Sequence, residues 1–234
     1  MKLRIVLVEP REAGNVGAAA RVMRNFGFAD LWIVGRHPEL HPLAWWWASG
    51  AEEVVEKATF VATLQEALSD AHVSIATTSA RGRDMAIDMT PAGVAASASE
   101  LTAEQTLALV FGREDSGLTR EEVVLCQRTA IIPTTPAFPT MNLAQSIGIF
   151  CYELSDIQPA SQGRILPSAG LVERLHERAE ALLFEVGFLR ENNPHLYQEL
   201  RTLVARAALD ERELTIVLGI LRQIEWKLKN GSGS

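Results

Sequence analysis

Two kinds of apolar pattern divide the chain. In residues 1–156, short unbroken apolar runs alternate with segments whose apolar positions recur at helical spacing. The runs are RIVLVE at residues 4–9, LWIV at 31–34, HVSIATT at 72–78, LALVF at 107–111 and the weaker TAII at 129–132. A strand with one wet face alternates apolar and polar residues, whereas a strand covered on both faces of a parallel sheet does not. Helical patterns lie between the runs: an Ala-rich stretch at 16–26, a segment at 64–71 behind Thr63 as a cap, and residues 142–154 with a continuous apolar face. This alternation predicts an α/β domain built on a mostly parallel sheet.

After residue 156 the strand signal stops. Residues 157–168, rich in proline and polar side chains, read as a linker. Helical spacing then predicts helices at 171–186, 194–207 and 211–229, with Asp210 capping the last and Leu214, Val217, Leu218, Leu221 and Ile224 forming its apolar stripe. The expected organisation is an α/β domain at 1–156, the linker, a small helical domain at 169–230, and a flexible Gly-Ser tail at 231–234.

Composition narrows the class. The longest apolar stretches are too short to span a membrane, and residues 1–5 lead straight into a strand-like run without a signal-peptide layout, so a cytoplasmic protein is expected. Two cysteines, Cys126 and Cys151, form neither a disulfide framework nor a metal cluster, and each reads as a small buried apolar residue. The net charge of −7 argues against a nucleic-acid partner, since phosphate contacts favour basic proteins. The imbalance is local: residues 1–156 hold 12 Lys/Arg against 19 Asp/Glu, and residues 157–234 hold 10 of each.

Three segments carry candidate chemistry. Gly14-Asn15-Val16-Gly17 follows the first strand and opens a slim helix bearing Arg21; Asn15 is expected to cap it. A well-made strand–helix junction explains most of this segment, and a surface position is the commoner fate of an arginine. Phe111-Gly112-Arg113-Glu114-Asp115-Ser116-Gly117 follows a buried strand, where open α/β sheets bind ligands, and the missing side chain of Gly112 is expected to leave room for one. Its spacing imitates a phosphate-binding loop, but Leu118 stands where that loop needs lysine, which excludes nucleoside triphosphates. Glu114 and Asp115 read either as acid–base groups or as acceptors for backbone amides in a sharp loop. Finally, three prolines stiffen 133–139 ahead of Asn142, a cap for the next helix and an edge for a small-molecule pocket. His37-Pro38-Glu39 has no Pro-Cys-x-x-Cys partner, so no zinc site is expected. Trp45-Trp46-Trp47 offers rings for base stacking, although packing of at least one in the core or a subunit interface is the favoured reading.

In order and spacing, Asn15-x-Gly17-x-x-x-Arg21, Phe111-Gly112-Arg113-Glu114-x-x-Gly117-Leu118, and Ile132-Pro133 with Asn142-Leu143-Ala144 resemble the SPOUT class of methyltransferases, in its 2′-O-ribose branch. Thr78-Ser79-Ala80-Arg81, the Val186–Asn192 stretch and the last helix extend the likeness to the tRNA cytidine/uridine subgroup. The resemblance implies a parallel-sheet SPOUT domain with a C-terminal trefoil knot, a helical extension, and a homodimer whose active sites use both subunits. It implies S-adenosylmethionine bound by Thr78, Ser79, Ala80, Gly112, Ile132, Pro139, Thr140 and Met141, and catalysis involving Arg21, Asn15 and Asn142. The implied substrate is a tRNA ribose, at nucleotide 32 of the anticodon loop, with no DNA or membrane partner. Arg81, Arg83 and Arg113 are the expected phosphate contacts. The subgroup often places serines before Leu-Asn, where this chain has Pro139-Thr140-Met141. Another tRNA or rRNA position, or a non-catalytic RNA-binding knot protein, are the rival readings.

Overall fold

The computed structural model describes residues 1–79, 89–161, 165–190, 194–207 and 209–230. The chain divides into two compact units, Met1–Gly163 and Arg164–Ser234.

The first unit is built on six parallel strands: β1 (Lys2–Val8), β2 (Asp30–Val34), β3 (Thr59–Val61), β4 (Val73–Thr78), β5 (Thr106–Phe111) and β6 (Arg128–Ile131). They lie in the order β3-β2-β1-β5-β4-β6. Every residue of β5 and all but the first of β1 are buried, so unbroken apolar runs marked strands covered on both faces. The helices are α1 (Ala13–Asn25), α2 (Leu43–Ala48), α3 (Glu52–Glu56), α4 (Leu64–Leu68), α5 (Pro91–Ala98), α6 (Arg120–Val124) and α7 (Leu143–Ser155). Helix α1 packs against α2, α3 and α7, and α5 packs against α7.

The sheet order fixes where a site can form. From β1 the chain crosses towards β2, and from β5 it crosses the other way to β6. Neighbouring parallel strands whose connections depart in opposite directions leave a crevice at their carboxyl ends. Here that crevice lies beyond Val8 and Phe111, where the segments leading to Asn15 and Glu114 begin.

Five elements were not foreseen. Edge strand β3 has three residues and is half-exposed, so it carries no apolar run. Helices α2, α3 and α6 have six, five and five residues, too short for a helical period to show. Helix α5 did leave a signal, with Thr90 accepting from the Gly93 amide at 3.3 Å ahead of Pro91 at the first helical position.

One strand residue departs from the apolar pattern. Arg4 is buried, donates to Asp30 at 3.1 Å and to the Ala67 carbonyl at 2.9 Å, pairs with both oxygens of Asp70, and lies 4.0 Å from the Trp32 ring centre. Those hydrogen bonds hold the Asp70 carboxyl below its ordinary range. Cys151 is buried and Cys126 half-buried, and desolvation pushes each thiol up to about 12, away from the thiolate form.

The second unit holds α8 (Ala169–Glu185), α9 (Pro194–Ala207) and α10 (Glu211–Asn230). Asp210 does cap α10: it accepts from the Glu213 amide at 2.8 Å, and Glu213 returns the bond to the Asp210 amide at 2.8 Å. Two buried-side ion pairs, Arg178–Glu225 at 2.8 Å and Arg201–Glu173 at 2.6 Å, tie α8 to α10 and α9. Between them His176 is 6% exposed, and burial, helped by the Arg201 cation, lowers its pKa to about 4. The folded imidazole therefore stays neutral at pH values where the unfolded one, near 6.5, takes up a proton. Stability is fully present above pH 6.5 and falls as pH drops towards 4, by about 3 kcal/mol across that window. Hydrogen exchange of α8 amides should accelerate between pH 7 and 4.5 beyond the intrinsic pH effect, and His176→Phe should flatten that dependence.

Candidate active site

The three motif segments meet at the crevice through one chain of hydrogen bonds. Asn142 is the N-cap of α7: its Oδ1 accepts from the amides of Ala144 at 2.9 Å and Gln145 at 3.3 Å. That fixes the amide orientation, so Nδ2 must point away from the helix. It donates to Asn15 Oδ1 at 3.0 Å. Asn15 Nδ2 in turn donates to Glu114 Oε1 at 3.0 Å. Glu114 also accepts from the Glu12 amide through Oε1 at 3.2 Å and from the Arg11 amide through Oε2 at 2.9 Å. Every donor and acceptor has one possible sense. Two helix N-termini and the β5–α6 loop are locked together across sequence separations of 127 and 99 residues.

This arrangement corrects the expected role of Asn15. Helix α1 starts at Ala13, its N-cap is Glu12, and no side chain of its own caps it. Asn15 lies inside the first turn. The amides just ahead of the helix are satisfied by Glu114 from another loop, whose negative charge also suits the positive end of the helix. Of the two readings of Glu114, the structure shows the acceptor of backbone amides.

Gly112 needs correction too. A β-carbon there would stand 2.2 Å from the Gly117 carbonyl carbon and 2.3 Å from the Leu118 nitrogen. The space is filled by the chain's own loop, which closes through Gly117 N to Arg113 O at 2.8 Å and turns on Gly117 at φ 68°. Gly112→Ala is expected to displace the loop that carries Glu114 and to destabilise the domain by about 1–3 kcal/mol, as overpacking does; urea unfolding measures it.

Arg113 is not available for phosphate. Its guanidinium donates to Glu9 at 2.8 Å and to both oxygens of Glu122 at 3.0 and 2.9 Å, with the side chain 13% exposed. Those bonds raise its pKa further above the ordinary arginine value. Glu9 reaches it from a left-handed backbone at φ 44°, a strained conformation for glutamate at the end of β1. Arg81 and Arg83 lie outside the described residues.

Arg21 is exposed on α1 and makes no hydrogen bond or ion pair with any described residue, so it stands apart from the relay. Trp46 and Trp47 are 73% and 57% exposed, and Trp45 is half-buried, so no ring of this group is in the core. The Trp47 ring lies against Gly14, one residue from Asn15.

Four of the expected cofactor residues, Thr78, Ser79, Gly112 and Ile132, lie at the carboxyl ends of neighbouring strands. Thr78 ends β4 beside Ile131 of β6, which puts Ser79 and Ile132 next to each other's strand ends, and Gly112 follows the adjacent β5. The loop 132–142 is folded on itself: Phe138 N donates to Thr135 O at 3.0 Å, and Thr134 Oγ1 to Pro139 O at 3.0 Å. Ile132, Pro139 and Met141 are half-buried, and Thr140 is exposed. Ala80 lies outside the described residues. Among the described residues no helix is long and apolar enough to cross a membrane.

Asn15, Glu114 and Asn142 thus bridge the switch-point crevice of the parallel sheet. Residues 2–152 match the SpoU rRNA Methylase family, and the chain belongs to that family. Residues 171–233 match the C-terminal domain of the tRNA methyltransferase TrmJ. The tRNA (cytidine/uridine/adenosine-2′-O-)-methyltransferase TrmJ of Pseudomonas aeruginosa is 36% identical, covering 96% of this chain and 94% of that one. The tRNA (cytidine/uridine-2′-O-)-methyltransferase TrmJ of Escherichia coli K12 is 35% identical, covering 97% and 96%. The crystal structure of TrmJ from Z. mobilis superposes with a TM-score of 0.83 at 31% identity, covering 96% of this chain and all of that one. The α/β methyltransferase class expected from the motifs is thus the class of the first unit, and the second matches the TrmJ C-terminal domain.

Proposed function

We propose that this protein transfers a methyl group from S-adenosylmethionine to a ribose 2′-hydroxyl of tRNA, at nucleotide 32 of the anticodon loop, on cytidine or uridine. The observation that supports this most is the relay through Asn142, Asn15 and Glu114, which gives three otherwise separate motifs one rigid geometry at the switch-point crevice. Likeness to TrmJ proteins along nearly the whole chain points the same way.

In this reading Thr78, Ser79, Ala80, Ile132, Pro139, Thr140 and Met141 hold the cofactor, with Gly112 contributing only its backbone, and the C-terminal part of the α/β domain forms a trefoil knot. When bound, S-adenosylmethionine supplies a methyl made electrophilic by its sulfonium. Transfer of that methyl to the ribose oxygen would leave S-adenosylhomocysteine, with the hydroxyl proton released to water. Asn15 and Asn142 hold the two helix starts that frame the reacting centre. Arg21 clamps the adjacent phosphate and stabilises charge developing on the ribose oxygen. An arginine stays protonated in proteins, so it serves as an electrostatic partner rather than a base. The unit of function is a cytoplasmic homodimer whose active sites draw on both subunits.

The deciding experiment is transfer of labelled methyl to unmodified tRNA transcripts, with the product mapped by nuclease digestion and mass spectrometry. A 2′-O-methyl at nucleotide 32 is expected. A 2′-O-methyl elsewhere keeps the chemistry and removes the position. No transfer to tRNA or rRNA sinks the enzymatic reading.

A further inference from the structure

Helix α10 has two apolar faces. One carries Leu214 and Leu221 and packs on α8, with Glu225 bonded to Arg178 at its edge. The other faces away: Ile216, Ile220 and Ile224 are 55%, 53% and 41% exposed. A helix with one buried stripe keeps its opposite face polar, and a second apolar stripe calls for a second partner.

The order of residues along that stripe identifies the partner. It reads Glu213, Ile216, Ile220, Ile224, Lys227, and it is symmetric about Ile220. At 3.6 residues per turn all five positions fall within about a quarter of the helix circumference. Turn a copy of the helix end for end about Ile220, and Ile216 faces Ile224, Ile220 faces its own copy, and the Glu213 carboxylate faces the Lys227 ammonium at both ends. In a parallel pairing the same stripe would set glutamate against glutamate and lysine against lysine. Glu213 and Lys227 are both exposed, and Glu213 keeps its bond to the Asp210 amide in either case. Gly219, whose absent side chain borders open space, leaves a hole beside the stripe for a facing side chain.

We propose that the outer face of α10 is an isologous interface that pairs antiparallel with α10 of a second copy of this chain. A two-fold axis passes at Ile220, and the contact runs about 21 Å along the helix, from Glu213 to Lys227. This pairing does not depend on the proposed methyl transfer. It commits to a second copy because the stripe's charge and apolar positions are complementary to the same stripe reversed.

Oxidative cross-linking of the full chain reads the register directly. Cys151 is buried and Cys126 half-buried, so the variants are made with both replaced by alanine and new cysteines on this face report alone. Under copper–phenanthroline, Ile220→Cys is expected to form a disulfide-linked dimer. Ile216→Cys and Ile224→Cys should each stay largely unlinked alone but join when mixed, by about tenfold over either one, because only then are two thiols within disulfide reach. Ile220→Lys should lower the cross-link between Ile216→Cys and Ile224→Cys without changing the circular dichroism. The proposal is overturned if Ile220→Cys fails to link, if Ile216→Cys links alone as well as in the mixture, or if added tRNA abolishes the link, which would assign the face to RNA.

Discussion

Glu114→Gln is expected to lower methyl transfer on the order of 10–100-fold, nearly as much as Glu114→Ala. Displacing catalytic groups by about 1 Å already costs that much. The carboxylate accepts from three donors, two backbone amides and Asn15 Nδ2, through both oxygens. Glutamine has one acceptor oxygen, so its amide nitrogen must face a donor. That breaks at least one bond and leaves two N–H groups opposed. If the relay sets the geometry of the crevice, Asn15→Asp should be worse than Asn15→Ala, since it puts a second carboxylate against Glu114. Combining Asn15→Asp with Glu114→Gln should recover part of the loss, because glutamine then donates where asparagine did. A merely structural glutamate gives no such reversal. Steady-state kinetics of the five variants, with thermal unfolding measured beside them, separates the two. Equal activity of Glu114→Gln and the native chain would remove the relay from the mechanism.

Arg21→Ala is expected to reduce kcat by about 10²–10³-fold, the cost of removing one donor from a developing oxyanion. Arg21→Lys should remain at least about tenfold below the native rate, since lysine lacks the planar fork that grips phosphate and ribose oxygen together. Stability should hardly change, because Arg21 is exposed and bonded to no described residue. A loss shared between kcat and kcat/KM marks an interaction made in the transition state, whereas a rise in KM alone would mark simple RNA affinity. Full activity of Arg21→Lys would remove the clamping role.

How much of this was legible beforehand differs between strands, helices and site. Strands β1 and β5 were readable because burial on both faces writes itself as an apolar run, and β2, β4 and β6, buried in part, still carry shorter ones. Edge strand β3 and the five-residue helices wrote nothing comparable. Asn142 and Asp210 were readable as caps because an N-cap acts within a few residues of its own position. Asn15 was misread for the same reason: a short polar residue near a helix start looks like a cap, and here the helix begins three residues earlier than its apolar period suggests.

By itself, then, the sequence determined the α/β class, the helical second unit, and the three motifs whose order marks the family. These depend on local periodicity and on residue types at fixed spacing. Only the tertiary structure decided what the motif residues touch. The strand order brings residues 15, 114 and 142 to one crevice, and no local pattern encodes a hydrogen bond across 127 positions. It likewise enclosed Arg113 between Glu9 and Glu122, and filled the space beside Gly112 with the backbone of its own loop. Charge and small size are properties of a residue. Whether the charge meets a partner or the small residue meets a ligand is a property of the packed fold.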